Sequence, residues 1–162
     1  MHPAMDEITD QLVTEIGFYR ELLEVVGEEK EILLSGQHDR LLGTSEKKLS
    51  LGQRLAAAQA ARRETMEKLA PQQDGRPAKL IDLVGFLPQE RQAPFRRAVA
   101  DAAQLAKNLG SQNEANKRYL EDALDTVEHV ISILSGRQEK KRYGGRALAT
   151  PNQQPRLLSK EV

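Results

Sequence analysis

The chain has 162 residues, of which 39% are hydrophobic, 4% aromatic and 30% charged, and its formal net charge is zero. This length fits about one domain, and so few aromatic side chains favour slim helices over a thick globular core. The chain contains no cysteine, which excludes a disulfide framework and thiolate chemistry.

The first predicted helix extends from about residue 5 to residue 34 and is acidic. Residues 1–37 carry nine acidic and two basic residues, a net charge of −7. Its apolar positions alternate by four and three residues, which is typical of a helix that packs along another helix. They are Ile8, Leu12, Ile16, Tyr19, Leu23, Val26, Lys30 and Leu33. Lys30 is the one charged member, and its aliphatic stem is expected to lie along the stripe with the amine in water. We interpret the acidic run at residues 28–31 as a solvated face.

A second helix is predicted from about residue 39 to residue 70. Gly36 and Asp39 are suited to end one helix and begin the next. Because this connection is short, the two helices should be antiparallel. The apolar positions of the second helix are less regular. We expect Leu42, Leu49, Ala56 and Met66 on one stripe, with Leu41, Leu55 and Leu69 beside it.

Pro71 and Pro77 separate the second helix from a short apolar segment at residues 79–87, which we interpret as a brief helix that closes one end of the bundle. The last helix is predicted from about residue 90 to residue 135. Its stripe reads Phe95, Val99, Ala102, Ala106, Leu109, Asn113, Asn116, Leu120, Ala123, Val127, Val130 and Leu134. The two asparagines either fix the register of the helices or meet water.

C-terminal to the two asparagines, the apolar surface of the last helix broadens. We call this surface the wide stripe, and it consists of Tyr119, Leu120, Ala123, Leu124, Val127, Val130, Ile131, Ile133 and Leu134. The wide stripe is broader than the contact between two helices requires. A third helix or a partner should therefore cover it.

Periodicity ends at Gly136, and residues 136–162 carry seven basic and two acidic residues, a net charge of +5. Such a composition predicts disorder in the isolated chain. The predicted fold class is therefore all-α. It is an elongated antiparallel bundle of three long helices plus one short helix over residues 1–136, followed by a disordered basic C-terminal tail over residues 137–162.

No residue pattern in the chain supports catalysis, a cofactor or a metal site. The sequence lacks a Gly-rich phosphate loop, a G-x-S-x-G motif and calcium-loop spacing. His129 lies off the stripe of the last helix, and Thr126 occupies the position where a di-metal bundle would need a carboxylate. We therefore expect no enzyme activity, no cofactor and no metal ligand.

The location and the classes of partner follow from the two ends of the chain. The N-terminus is acidic where a secretory signal is basic and then apolar, and no apolar run approaches the roughly 18 residues of a membrane span. We expect a cytoplasmic protein without stable membrane insertion. The basic cluster at residues 137–142, with Tyr143 as a stacking ring, could bind nucleic acid. The acidic first helix would repel phosphates, however, and no nucleic-acid partner is predicted.

The sequence resembles the FlgN family of flagellar type III export chaperones over about residues 8–145. The resemblance rests on Leu22-Leu23, on the charged first hairpin through Lys47-Lys48-Leu49, and above all on Asn113-x-x-Asn116-x-x-x-Leu120. The last motif continues through Leu124, Val127, Ile131 and Leu134 into Tyr143-Gly144. One departure is that Gly145 follows Gly144 directly, whereas the family has its further glycine about three residues after the tyrosine.

The resemblance implies a cytoplasmic, non-catalytic escort for the hook-associated proteins that join hook to filament. Such a chaperone binds the C-terminal helical segments of these proteins, prevents their premature polymerisation and delivers them to the export gate. The resemblance also implies that the tyrosine after the last helix docks at the gate. That role would fall on Tyr143, with Arg142 and Gly144 beside it.

The wide stripe supplies a mechanism for this role, because an amphipathic client helix can lie along it. The predicted client-binding residues are Asn113, Asn116, Tyr119, Leu120, Leu124, Val127, Ile131 and Leu134. The competing hypothesis is a structural or regulatory coiled-coil adaptor that self-associates through the same stripe and has no export role.

Overall fold

A computed structural model describes residues 3–70 and 78–136 of the chain. Within these ranges the chain forms three α-helices, α1 (Pro3–Ser35), α2 (Leu41–Leu69) and α3 (Gln89–Leu134). Two short 3-10 helices lie at His38–Arg40 and Leu80–Phe86. No strand occurs in the described ranges, and the predicted all-α fold is confirmed. The chain divides into two units, one up to residue 125 and one from residue 126 onward.

Helices α1 and α2 form an antiparallel hairpin. Gly36 follows α1 with a φ of +73°, a left-handed conformation that suits glycine and ends the helix. Residue numbers rise along α1 while those of their partners on α2 fall. The pairs are Gln11 with Thr65, Glu15 with Arg62, Tyr19 with Gln59, and Glu29 with Lys48.

The main hydrophobic core lies where the N-terminal part of α1 meets the end of α2 and the beginning of α3. The 3-10 segment at Leu80–Phe86 closes this end of the bundle, as the sequence predicted. The buried side chains of this core are Met5, Ile8, Leu12, Ile16, Met66, Leu83, Val84, Leu87 and Phe95. A second, smaller core contains Leu22, Val25, Leu51 and Leu55, against which Leu109 of α3 packs.

The predicted apolar stripe of α1 is wrong at Lys30, whereas its other members are buried or half-buried, including Val26 near its end. Ile8, Leu12 and Ile16 are buried as expected, whereas Lys30 is exposed. Glu29 is buried instead, so that the predicted solvated face at residues 28–31 is wrong at this position. A carboxylate can occupy an interior position when it is paired and hydrogen-bonded, and the partners of Glu29 come from α2 and α3.

The predicted stripe of α2 is also partly wrong. Leu42, Leu49 and Ala56 are exposed, whereas Leu55 and Met66 are buried as expected. The interior side of the helix also contains three residues that were not predicted, Thr44, Leu51 and Thr65. The two threonine hydroxyls donate hydrogen bonds to the carbonyl oxygens of Leu41 (2.9 Å) and Ala61 (3.1 Å). The Thr44 hydroxyl thus bonds within its own helix, and the Thr65 hydroxyl also contacts Glu7 and Gln11 of α1. Threonine can therefore take interior positions that an apolar pattern does not reveal.

Candidate binding face of helix α3

A buried polar network joins all three helices at Asn116. The Asn116 side chain, which is only 3% exposed, donates from Nδ2 to the carbonyl oxygen of Val26 at 2.8 Å and to Glu29 Oε2 at 2.9 Å. Lys48 on α2 donates from Nζ to Glu29 Oε1 at 2.7 Å and to Asn113 Oδ1 at 3.2 Å. One carboxylate on α1 therefore accepts from both of the other helices.

These contacts fix the register of α3 against α1. Asn116 lies 87 to 90 residues after its two partners on α1, and Asp6 of α1 accepts a hydrogen bond from Arg91 of α3, 85 residues later. The two helices therefore run parallel. Adding 87 to 90 to residue 35 places the end of α1 level with about residues 122–125 of α3.

Within the first unit, the predicted site residues divide into buried and exposed ones. Asn116 is part of the contact between α1 and α3 and does not belong to the exposed surface. Asn113 is exposed and accepts its hydrogen bond from Lys48. Tyr119, Leu120 and Leu124 are exposed, Leu124 by 54%. The apolar surface therefore begins directly C-terminal to the buried asparagine.

A cavity of about 310 Å³ adjoins this part of the surface. Leu33 of α1, Leu41 of α2 and Leu120 of α3 contribute its apolar lining. Its polar lining comes from Glu29, Ser45, Lys48, Asn113, Asn116 and Lys117. Leu120 thus belongs both to the wide stripe and to a recess between the three helices.

In the second unit, helix α3 continues to Leu134 and exposes five apolar side chains within nine residues. They are Val127, Val130, Ile131, Ile133 and Leu134. Spacings of three and four residues place Val127, Val130, Ile131 and Leu134 on one helix face, and Ile133 adjoins Val130. Leu134, at 81%, is the most exposed of them. Gly136, with a φ of +64°, ends the helix as predicted.

Sequence reasoning did not assign to the site six residues that line this cavity, namely Glu29, Leu33, Leu41, Ser45, Lys48 and Lys117. A signal for Glu29 was present, because Val25, Val26 and Ile32 surround it at helical spacings of three and four residues. For the other cavity residues there was no local signal, since the recess depends on three helices at once.

The remaining predicted residues lie elsewhere. Arg142, Tyr143 and Gly144, like the whole predicted tail at residues 137–162, fall outside the described residues. Among residues 3–70 and 78–136, no group of three or more His, Cys, Asp or Glu side chains is arranged to hold a metal ion. None of the helices in these ranges is long and apolar enough to cross a membrane.

Comparison with known proteins gives one finding. A family model described as FlgN protein matches residues 1–151 of the chain. The match includes all the described helices and extends past residues 142–144. The comparisons with curated proteins and with solved structures find no match.

Proposed function

Because the chain belongs to the FlgN family, a family of flagellar export chaperones and not of enzymes, we propose that it is a cytoplasmic escort for hook-associated proteins. In this proposal it binds their C-terminal helical regions, prevents premature assembly and delivers them to the flagellar type III export gate. The observation that carries the proposal is the set of exposed apolar side chains on α3 between Tyr119 and Leu134.

The client would bind as an amphipathic helix laid along the wide stripe. Covering about 600 Å² of apolar surface contributes roughly 15 kcal/mol gross at 25 cal/mol per Å². Ordering of the client and the loss of translational freedom offset most of this gain. The remaining affinity is moderate and reversible, which suits a protein that must release its client.

Tyr143, with Arg142 and Gly144, is the proposed docking segment for the export gate. These residues follow Leu134, the last residue of α3, by eight to ten positions and lie within the range that the FlgN family model matches. The arrangement would separate the two tasks along the chain, with client binding on α3 and gate docking after it.

The proposal is tested by replacing Leu124 and Ile131 together with aspartate. Both side chains are more than half exposed, so the helical content in circular dichroism should not change. The variant should no longer co-purify with a hook-associated protein, because two carboxylates in the apolar contact remain unpaired when buried. A matched control replaces Val13 and Leu49, which are exposed on α1 and α2, with aspartate and should retain the client.

Retained client binding by the Leu124→Asp, Ile131→Asp variant would place the client site elsewhere on the chain. Sedimentation of the unmodified protein at several concentrations tests the competing function. A tight dimer that the same substitutions dissociate would favour the self-associating adaptor, whereas a monomer that forms a one-to-one complex with a hook-associated protein would favour the chaperone.

A further inference from the structure

We propose that the wide stripe selects a basic amphipathic helix, that is, a client segment whose apolar face is bordered by lysine and arginine. This inference rests on the proposed function and specifies the chemistry of the client segment.

The segment that carries the wide stripe is acidic and contains no lysine or arginine. Residues 119–134 contain Glu121, Asp122, Asp125 and Glu128 and no lysine or arginine, which gives a net charge of −4. The two basic residues just before it are already close to acidic ones, Lys117 at 3.9 Å from Glu121 and Arg118 at 3.8 Å from Glu114. Residues 114–134, which include both of these pairs, still carry a net charge of −3, so the charge around the stripe is negative.

Two of these acidic residues lie at the edge of the apolar surface. In the first unit, the exposed Glu121 precedes Leu124 by three residues. In the second unit, the exposed Glu128 precedes Ile131 by the same spacing. Residues three apart are neighbours on a helix surface. A helix that covers Leu124 and Ile131 therefore brings its own flanking side chains close to Glu121 and Glu128.

A second copy of the chain suits this face poorly. Two copies would each bring the same net charge of −4 to the contact, and like charges placed together disfavour association. The face is also short, because its 16 residues span little more than two heptads, whereas a stable coiled coil needs about three or four. A client helix with basic borders avoids the charge repulsion and gains attraction to the acidic side chains instead.

The test uses two synthetic amphipathic peptides that share one leucine-rich apolar face and differ only in the residues that border it, lysine in one and glutamate in the other. Their binding to the full-length chain is measured by fluorescence anisotropy. At low salt the lysine-bordered peptide should bind about tenfold more tightly, because several exposed ion pairs each contribute modestly. The difference should shrink as the salt concentration rises from about 50 mM to about 500 mM, where screening is strong.

Charge reversal supplies the matched variants. The Glu121→Lys, Glu128→Lys variant should lose or invert the preference for the lysine-bordered peptide. The Glu24→Lys, Glu31→Lys variant changes the net charge equally at exposed positions of α1 and should keep that preference. A preference that both variants alter equally would reflect net charge alone and would overturn the inference.

The other outcomes separate this inference from the proposed function. Equal binding of the two peptides would overturn the charge selection, while apolar client binding on α3 would stand. If neither peptide binds, both the inference and the proposed client site fail. A peptide of residues 137–162 that binds more tightly than either would identify the chain's own basic tail as the occupant, and this too would overturn the inference.

Discussion

Asn116 on α3 donates a 2.9 Å hydrogen bond to the carboxylate of Glu29 on α1, and both residues are less than one-tenth exposed. The contact lies just N-terminal to the point where α3 becomes exposed. It therefore belongs to the structure that holds α3 in register rather than to the surface that we propose for client binding.

Replacing Asn116 with leucine should lower the free energy of unfolding by about 1–3 kcal/mol. The substitution removes both donated hydrogen bonds and leaves the buried Glu29 with one donor fewer, and an unmet buried acceptor costs about that much. Urea unfolding followed by circular dichroism measures the change. Asn113→Leu is the control. Because Asn113 is exposed, this substitution should lower the free energy of unfolding by less than about 1 kcal/mol. Equal losses in the two variants would contradict a special role for Asn116.

The Glu15–Arg62 pair between α1 and α2 gives a second prediction. The Arg62 Nη2 group donates to Glu15 Oε2 at 3.2 Å, Nε donates to the other carboxylate oxygen, and the Glu15 side chain is 2% exposed. Arg62→Met should destabilise the fold by about 3–5 kcal/mol, because it leaves a buried carboxylate unpaired. Glu15→Leu combined with Arg62→Met should recover most of that loss. Thermal unfolding of the unmodified chain, the Arg62→Met variant and the double variant measures these differences. A double variant no more stable than Arg62→Met would show that the unpaired carboxylate is not the cause of the loss.

Glycines within the helices give a third prediction. A Cβ atom added at Gly27 or Gly110 would meet no other heavy atom within 4 Å, so the close helix approach that glycine permits is not needed at either position. Gly110→Ala should therefore raise the free energy of unfolding by about 0.5–1 kcal/mol through helix propensity and a less flexible unfolded chain. Gly36→Ala is the opposite control, since the φ of +73° at Gly36 should make alanine destabilising. Thermal unfolding that showed the same sign for both would contradict this reading.

The fold was largely predictable because short-range sequence signals mark where its helices begin and end. The sequence placed the first helix at about residues 5–34, and the structure has it at Pro3–Ser35. The last helix, expected at about 90–135, lies at Gln89–Leu134. Strong periodicity, Gly36 and Gly136 at the helix ends, and the prolines between helices are all short-range signals.

Side-chain placement was less predictable, because it depends on partners that are distant in sequence. Lys30 fitted the four-and-three spacing of α1, yet Glu29 is the buried residue since Lys48 and Asn116 converge on it. For the candidate site, the exposure of Leu124 and Ile131 agrees with a stripe that the bundle leaves uncovered. The buried position of Asn116 could not be read from its motif, which has the same spacing whether the amide faces a client or a neighbouring helix.

The proposed docking role of Tyr143 gives the last prediction. Tyr143→Ala should leave the affinity for a hook-associated protein unchanged, because the substitution is outside α3, and should weaken binding to the purified export gate at least about tenfold, as expected for an aromatic anchor. Pull-down of the gate and motility on soft agar measure the loss of gate binding and its effect on the flagellum.

Tyr143→Phe is the conservative control and should retain most gate binding if the ring supplies the contact. The Leu124→Asp, Ile131→Asp variant should show the reverse pattern, with the client lost and gate affinity kept. Equal gate affinity of Tyr143→Ala and the unmodified chain would remove Tyr143 from the docking segment while leaving the client site on α3 intact.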